Sequence, residues 1–470
     1  MANQIKPSNR RFTPPLSWRS RTKIPLLYLG DIIFFYIALA LTLFIRYGEV
    51  AIKGASFEAH AEPFTIALLA WLLIFYIGGL YERQIFNREV LVRRFFYLVG
   101  IGGLFLILLF YFVPSFGIAP KANLFIFIGI FAASGYAWRA SFITLLRERA
   151  GVKSNRVMLV GDTEASREIH EQVTKLPQIG YEIALWLKDG LYSGSAVAPE
   201  EFTHEIIIKG INTIVIPSHV EHDAGALRML YYAFISGIEV TSSADFYERL
   251  FDRVSISELD DSWLIKNLPR VAKRYRALRY ASELIFALIL VVLFSPIMIL
   301  SAILIFVTSP GGVLYKQKRV GQNEQIFELY KFRTMHSDKN KNPDADNGNP
   351  TWSVAGDSRV TPIGKFLRAS HIDEFPQLFN IIAGNMSFVG PRPERPEFTV
   401  ELEKQIPYYE LRYILKPGLT GWAQINYRYG ASVDDAYQKL QYEIYYLKNR
   451  SLVTDLSIII KTIKKFFVNG

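Results

Sequence analysis

Residues Arg368–Pro393 read RASHIDEFPQLFNIIAGNMSFVGPRP. Within them Phe375, Leu378, Phe379, Ile381 and Ile382 recur at helical spacing. Pro376 limits where that helix can begin, because proline is tolerated only in a first turn, where its missing N–H would be unpaired anyway. The spacing predicts a helix that starts at or close to Asp373 and stops at Gly384. Asp373, with Glu374 beside it, then sits at or near the N-cap, where free N–H groups and the helix dipole favour anions. Arg368 precedes the pair and the turn Gly390–Pro393 carries Arg392 after it. A carboxylate pair bracketed by arginine forks at a helix mouth suggests phosphate chemistry. The plain alternative is a capping pair followed by a stiff turn.

The neighbouring sequence supplies more cations. VLYKQKRVG and FELYKFRTM read as two short strands around the turn Gly321–Gln325, with Arg319 on the first. Lys331 and Arg333 share one face of the second by the period of two, suited to holding anions or simply solvated. Asp338–Gly356 is rich in Asn, Asp, Gly and Pro and reads as a surface loop. Leu415–Gln424 is a loop controlled by Pro and Gly, with an exposed-looking Trp422. Val433–Lys448 reads as a helix placing Glu443 and Lys439 on one face, and Ile458–Phe467 as a basic amphipathic tail.

Upstream the chain turns apolar. Ile24–Ile45, Pro63–Leu80, Phe95–Val113 and Leu124–Ile143 each approach the roughly 20 residues of a spanning helix. Basic residues alternate between their connections: Arg10, Arg11, Arg19, Arg21 and Lys23 before the first, Arg83, Arg88, Arg93 and Arg94 after the second, Arg147, Arg149 and Lys153 after the fourth. The positive-inside rule puts both ends of this four-span bundle (25–150, after a basic tail 1–24) in the cytoplasm. With no small-residue cleavage site, the first span reads as an uncleaved anchor. Asp31, inside that span, is either a functional residue or one that snorkels or pairs.

Between 151 and 250 strand candidates (Arg156–Val160, Glu182–Leu187, Thr213–Ile216, Glu239–Thr241) alternate with helical segments, the pattern of a parallel sheet. VGDTEASRE has the position of a dinucleotide fingerprint but only Gly161 of its glycines, so this Rossmann-like module reads as regulatory or assembly-related rather than NAD-binding. A polar, basic linker (251–282) leads to a fifth apolar segment (283–308), interrupted by Ser295-Pro296. Basic residues flank both its ends, so it reads as a re-entrant helix whose break is Ser295 and Pro296, preceding a catalytic domain at 309–470. Glu283 reads as a paired interfacial anchor.

The net charge of +10 beside apolar spans fits an anionic membrane face, not nucleic acid, for which no motif is present. The chain has no Cys, which excludes disulfides and thiolate metal sites.

From about Lys273 on, the chain resembles the bacterial sugar transferases that act as polyprenyl-phosphate hexose-1-phosphate transferases. The resemblance rests on Ser295-Pro296, QKRVG, YKFRTM, DEFPQLFNII, GNMSFVGPRP and KPGLTGWAQ, in order. The spans and the α/β module are similar, more loosely, to the large members of that family. The resemblance implies a membrane helical bundle, a Rossmann-like module and a monotopic α/β catalytic domain with a re-entrant helix. It implies that Asp373 is the nucleophile and Glu374 its partner in Mg²⁺ binding, that Arg368 and Arg392 handle phosphate, and that Lys331, Arg333 and Arg319 are candidates for the same. Glu443, a second candidate metal ligand, and Glu283 stand where the family is expected to have Asp. The implied substrates are a UDP-sugar and polyprenyl phosphate, at the cytoplasmic face of a bacterial inner membrane. Membrane lipids are the implied surroundings, and a homodimer is left open. A phosphate acceptor already carries a nucleophilic oxygen at pH 7, so a carboxylate is better used as nucleophile than as base. One-step transfer without a covalent intermediate, or an idle membrane scaffold, are the competing readings.

Overall fold

The computed structural model describes residues 16–48, 55–81, 88–112, 121–151, 155–176, 180–191, 199–268, 273–336, 359–427, 430 and 432–469. The loop expected at Asp338–Gly356 and the basic residues Arg10, Arg11, Arg83, Lys153 and Arg270 lie outside the described residues. The chain divides into two compact units, Met1–Ser243 and Ala244–Gly470.

The first unit opens with α1 (Leu16–Tyr47), α2 (Ala55–Ile77), α3 (Arg88–Phe112) and α4 (Lys121–Gly151). All four are long and apolar enough to cross a membrane, over Pro25–Tyr47, His60–Ile77, Leu91–Phe112 and Asn123–Leu145. They enclose an aromatic core that includes Phe35, Phe64, Trp71, Phe127 and Phe131. Leu29, Leu69, Leu104 and Phe125 face outward, apolar surface suited to lipid. Asp31 is buried and paired. Arg139 Nε donates to its Oδ1 at 3.1 Å, Arg139 Nη2 donates to Oδ2, and the Tyr81 hydroxyl donates to Oδ2 at 2.6 Å. Arg139 Nη1 also donates to the Leu80 carbonyl at 3.0 Å.

The rest of that unit is an α/β arrangement: β1 (Asn155–Val160), α5 (Glu164–Lys175), β2 (Tyr181–Leu187), α6 (Pro199–Ile208), β3 (Thr213–Ile216), α7 (Ala224–Ile235) and β4 (Glu239–Ser242). Its four strands are parallel in the order β2-β1-β3-β4. Met158, Val160, Ile214 and Ile216 face the sheet's core, as continuous apolar strands require when helices cover them. Gly161 leaves β1 with φ +79°, Thr163 caps α5, and Asp162 pairs with Arg167 at 2.9 Å.

The second unit begins in α8 (Ser243–Phe251) and continues through α9 (Asp261–Asn267) into α10 (Lys273–Thr308). The segment expected as a linker instead contributes Val254, Ile256, Leu259 and Trp263 to this unit's core. Their spacing is irregular and short of a helical stripe, and the basic residues that follow them, from Lys266 to Arg279, give the segment its polar character. There follow β5 (Leu314–Val320), β6 (Ile326–Phe332), α11 (Pro362–Ala369), α12 (Gln377–Ile382), β7 (Ser387–Val389), α13 (Pro396–Gln405), β8 (Gly418–Thr420), α14 (Trp422–Asn426), α15 (Val433–Lys448) and α16 (Leu452–Asn469). β5 and β6 form an antiparallel hairpin, and β7 pairs with β8 in parallel. Trp422 is not free: its Nε1 donates to the Asp252 carbonyl at 2.9 Å and its ring stacks on Tyr445.

α10 is the fifth helix apolar enough to cross a membrane. It stays helical through Ser295 and Pro296, where a break was expected. Pro296 has no N–H to give the carbonyl four residues back, that of Val292. Ser295 Oγ donates to that carbonyl at 2.8 Å in its place. Both ends of the helix lean on the same domain. Near the start, Arg279 Nη2 donates to Ser387 Oγ and to the Val389 carbonyl, each at 2.9 Å. Glu283 accepts from Arg279 at 2.8 Å and from Ser387 Oγ at 2.5 Å. At the other end Ile305 packs with Phe332 and Leu367, and Arg333 donates to the carbonyls of Ser309 and Pro310. Between these anchorages Leu288, Ile289, Val292, Leu293, Ile299 and Leu300 are exposed.

Candidate active site

Asp373 does not cap α12. It lies one turn earlier, in a 3-10 turn Ile372–Glu374, and α12 begins only at Gln377 after Pro376. Pro376 is the physical reason: it cannot donate to Ile372, so this stretch closes through shorter i+3 bonds. Phe375 N–H donates to the Ile372 carbonyl at 3.1 Å and Leu378 N–H to the Phe375 carbonyl at 3.0 Å. His371, left-handed at φ +54°, turns the chain from α11 into this segment. Gly384 ends α12 at φ +80°, and Asn385 N–H reaches back to the Asn380 carbonyl at 3.0 Å, the glycine stop read from the sequence.

The two carboxylates have opposite surroundings. Glu374 Oε1 accepts from Lys331 Nζ at 2.7 Å and from Arg392 Nη2 at 3.2 Å. Burial alone would raise its carboxyl; Arg392 and Lys331 outweigh burial and hold it at about 2. Asp373 is 8% exposed and has no hydrogen-bond partner among the described residues. Burial pushes its carboxyl above the ordinary range, opposed by Lys331, while the Glu374 charge adds to the rise and His371 and Arg368 oppose it. Arg368, on α11, is oriented by its Nε donating to Thr334 Oγ1 at 2.9 Å.

Arg392 is placed by backbone packed on backbone. The Gly390 N–H donates to the Thr420 carbonyl and Gly418 N–H to the Pro391 carbonyl, at 2.9 and 2.8 Å. A Cβ on Gly390 would lie 2.2 Å from the Lys416 carbonyl oxygen, and one on Gly421 would lie 2.2 Å from that of Gly390. The glycines of VGPRP and KPGLTGW thus serve one close approach. Arg412 completes it, its Nη2 donating to the Arg392 carbonyl at 3.0 Å.

Other expected site residues lie elsewhere. Arg319 donates to the Pro393 carbonyl at 3.0 Å and to Gln317 at 2.6 Å, bracing the turn. Arg333 lies just past β6 and serves the carbonyls at the end of α10. A Cβ on Gly311, at φ +118°, would stand 2.2 Å from its Nη1. Glu443, the second candidate metal ligand, accepts from Arg412 Nη2 at 3.1 Å with both side chains buried. Burial pushes its carboxyl up and Arg412 opposes the rise. Among the described residues no three His, Cys, Asp or Glu side chains gather at metal-ligand spacing. Thr334, Asn380 and Arg412 were missed by the sequence reading. Thr334 stands inside the YKFRTM motif, while Arg412 carried no local signal.

A family profile described as bacterial sugar transferase matches residues 274–469. The chain is 34% identical over 327 residues to a UDP-glucose:undecaprenyl-phosphate glucose-1-phosphate transferase of Escherichia coli, covering 68% of this chain and 69% of that one. It is 38% identical over 198 residues to a protein of the same description from Caulobacter vibrioides, covering 42% and 71%. A UDP-N-acetylgalactosamine-undecaprenyl-phosphate N-acetylgalactosaminephosphotransferase of Aeromonas hydrophila is 38% identical over 237 residues, covering 50% of this chain and about half, 54%, of that relative.

Proposed function

The chain belongs to the bacterial sugar transferase family, sugar-1-phosphate transferases that use polyprenyl phosphates, and from that premise we propose that it moves a hexose-1-phosphate from a UDP-sugar to undecaprenyl phosphate. The products are undecaprenyl-diphosphate-sugar and UMP, the first membrane step of an exopolysaccharide, capsule or O-antigen. UDP-glucose and UDP-galactose are the leading donors.

The observation that carries the reading is the contrast within the carboxylate pair. Glu374 is held ionised by two cations, whereas Asp373 is buried with no donor among the described residues to spread its charge. A desolvated carboxylate without hydrogen bonds is a strong oxygen nucleophile. Asp373 Oδ attacks the β-phosphorus of the donor. An O–P bond forms, the bond to UMP breaks, and UMP leaves with the electron pair. An oxygen of undecaprenyl phosphate then attacks the same phosphorus and frees Asp373. That oxygen is already anionic, so no base is required. Arg368 and Arg392 face the charge that spreads over the transferring phosphoryl group.

Mg²⁺ suits this donor set. The ion is commonly bound by one or two carboxylates plus substrate phosphates, and the Glu374 oxygen not engaged by Lys331 and Arg392 offers one such ligand. When bound it offsets the repulsion between the donor diphosphate and the carboxylates. The family is generally metal-dependent.

We place the domain on the cytoplasmic face of the bacterial inner membrane, with α10 re-entrant. The support is that both ends of α10 lean on one domain, whereas a spanning helix would separate them by about 30 Å of hydrocarbon.

The test is labelling. Purified protein in lipid nanodiscs receives a UDP-sugar carrying ³²P in its β-phosphate and no acceptor. Wild type is expected to become labelled, Asp373→Asn to stay unlabelled, and added undecaprenyl phosphate to discharge the label. An unlabelled wild type together with a turning-over Asp373→Asn variant overturns the covalent scheme.

A further inference from the structure

We infer that Asn380 is a positioning residue for the transfer, setting Lys331 against Glu374 by completing the open edge of β6; this rests on the function proposed above. Asn380, in the middle of α12, is fully buried. Its Oδ1 accepts from the Tyr330 N–H at 3.0 Å and its Nδ2 donates to the Glu328 carbonyl at 2.7 Å. Those two backbone groups flank Leu329, so the amide stands where a residue of a third strand would pair. Among the described residues β6 has only β5 as a strand partner, and its other edge offers the Glu328 carbonyl and the Tyr330 N–H to the amide.

One step along the strand from Tyr330 is Lys331, whose Nζ meets Glu374 at 2.7 Å. The same α12 follows directly on the turn that carries Asp373 and Glu374. The amide therefore joins the element bearing the cation to the element bearing the carboxylates. It also fixes their register. A slip of one residue along β6 would present no N–H and carbonyl pair to the amide, since these alternate between the two edges. A slip of two residues would restore a pair but move Lys331 by about 6.6 Å, out of reach of Glu374. Burial makes the pairing specific, because the amide has no water to turn to. The Asn380 carbonyl accepts from Asn385 and Met386 N–H at 3.0 and 3.2 Å, which fixes the residue at the other end.

The experiment is a kinetic cycle in nanodiscs, reading UMP release with Asn380→Leu, Lys331→Met and the double variant. Leucine keeps the branching at Cγ, with methyl groups in place of the amide oxygen and nitrogen, and loses both hydrogen bonds. Asn380→Leu is expected to lower kcat/KM by about a hundredfold, the cost of roughly 1 Å misplacement. In the Lys331→Met background the same change is expected to cost less than about threefold, because the group it positions is gone. Asn380→Gln, which keeps the amide on a longer arm, serves as the second variant where leucine does not give folded protein. It is expected to keep the wild-type melting temperature within about 3 °C and to lose kcat in the same non-additive way. Fully additive losses, or unchanged kcat/KM in a folded Asn380→Leu or Asn380→Gln variant, overturn the assignment. A wild type that releases no UMP from any UDP-sugar would instead overturn the function on which it rests.

Discussion

Replacing Glu374 by glutamine removes the anion that two cations share, and its cost follows from the carboxyl's titration. The group moves from 4.5 to about 2 on folding, a shift worth about 3 kcal/mol at neutral pH. For a unit of this size that corresponds to a melting temperature lower by roughly 6–12 °C. Because the folded carboxyl is depressed, its contribution is complete above pH 4.5 and is lost as the pH falls through 2. At pH 3 less than half of that contribution should remain. Melting curves of wild type and Glu374→Gln in the same detergent, at steps from pH 7 to pH 3, should therefore converge to less than half their neutral separation. A separation that stays constant, or grows on acidification, would refute the picture of Glu374 as a carboxylate stabilised by Lys331 and Arg392.

Three further outcomes are expected. Asp373→Asn should melt higher than wild type at pH 7, because burial raises that carboxyl and its charge destabilises the fold above its pKa; the gain should vanish on acidification, and an unchanged or lower melting temperature at pH 7 would count against it. Gly390→Ala should cost about 1–3 kcal/mol by pushing a Cβ into the Lys416 carbonyl, and should abolish UMP release by displacing Arg392; retained release would show that the turn can yield. Ser295→Ala should cost about 1 kcal/mol by leaving the Val292 carbonyl without its donor, read as a melting shift of a few degrees in nanodiscs, whereas Ser295→Thr should be near neutral.

Much of this architecture was legible locally. The four parallel strands, the β5–β6 hairpin and the Gly384 stop follow from periodicity and turn chemistry confined to short windows. Long-range placement was not. Nothing near Glu443 announces that Arg412, 31 residues away, occupies its carboxylate. Period two put Lys331 and Arg333 on one face, but β6 ends between them, so only Lys331 turns to the carboxylates. Pro376 was read correctly as a limit on the helix, yet its missing N–H shifted the start to Gln377 and left Asp373 in a tighter turn. The glycines of two separate motifs made sense only once their backbones were seen in contact.

The ion pair between Asp31 and Arg139 bears on how the chain is made. The two residues are 108 positions apart, so the acid is synthesised and enters the bilayer well before its counterion exists. Until α4 arrives, the first helix carries at membrane depth a charge with the Tyr81 hydroxyl as a neutral donor and no counterion, a state that biogenesis must tolerate or shield. Arrival of the fourth helix is thus a closing event that neutralises the first. Chains cut short after α3 would retain the acid uncompensated, which gives membrane quality control a chemical feature by which to tell unfinished copies from finished ones.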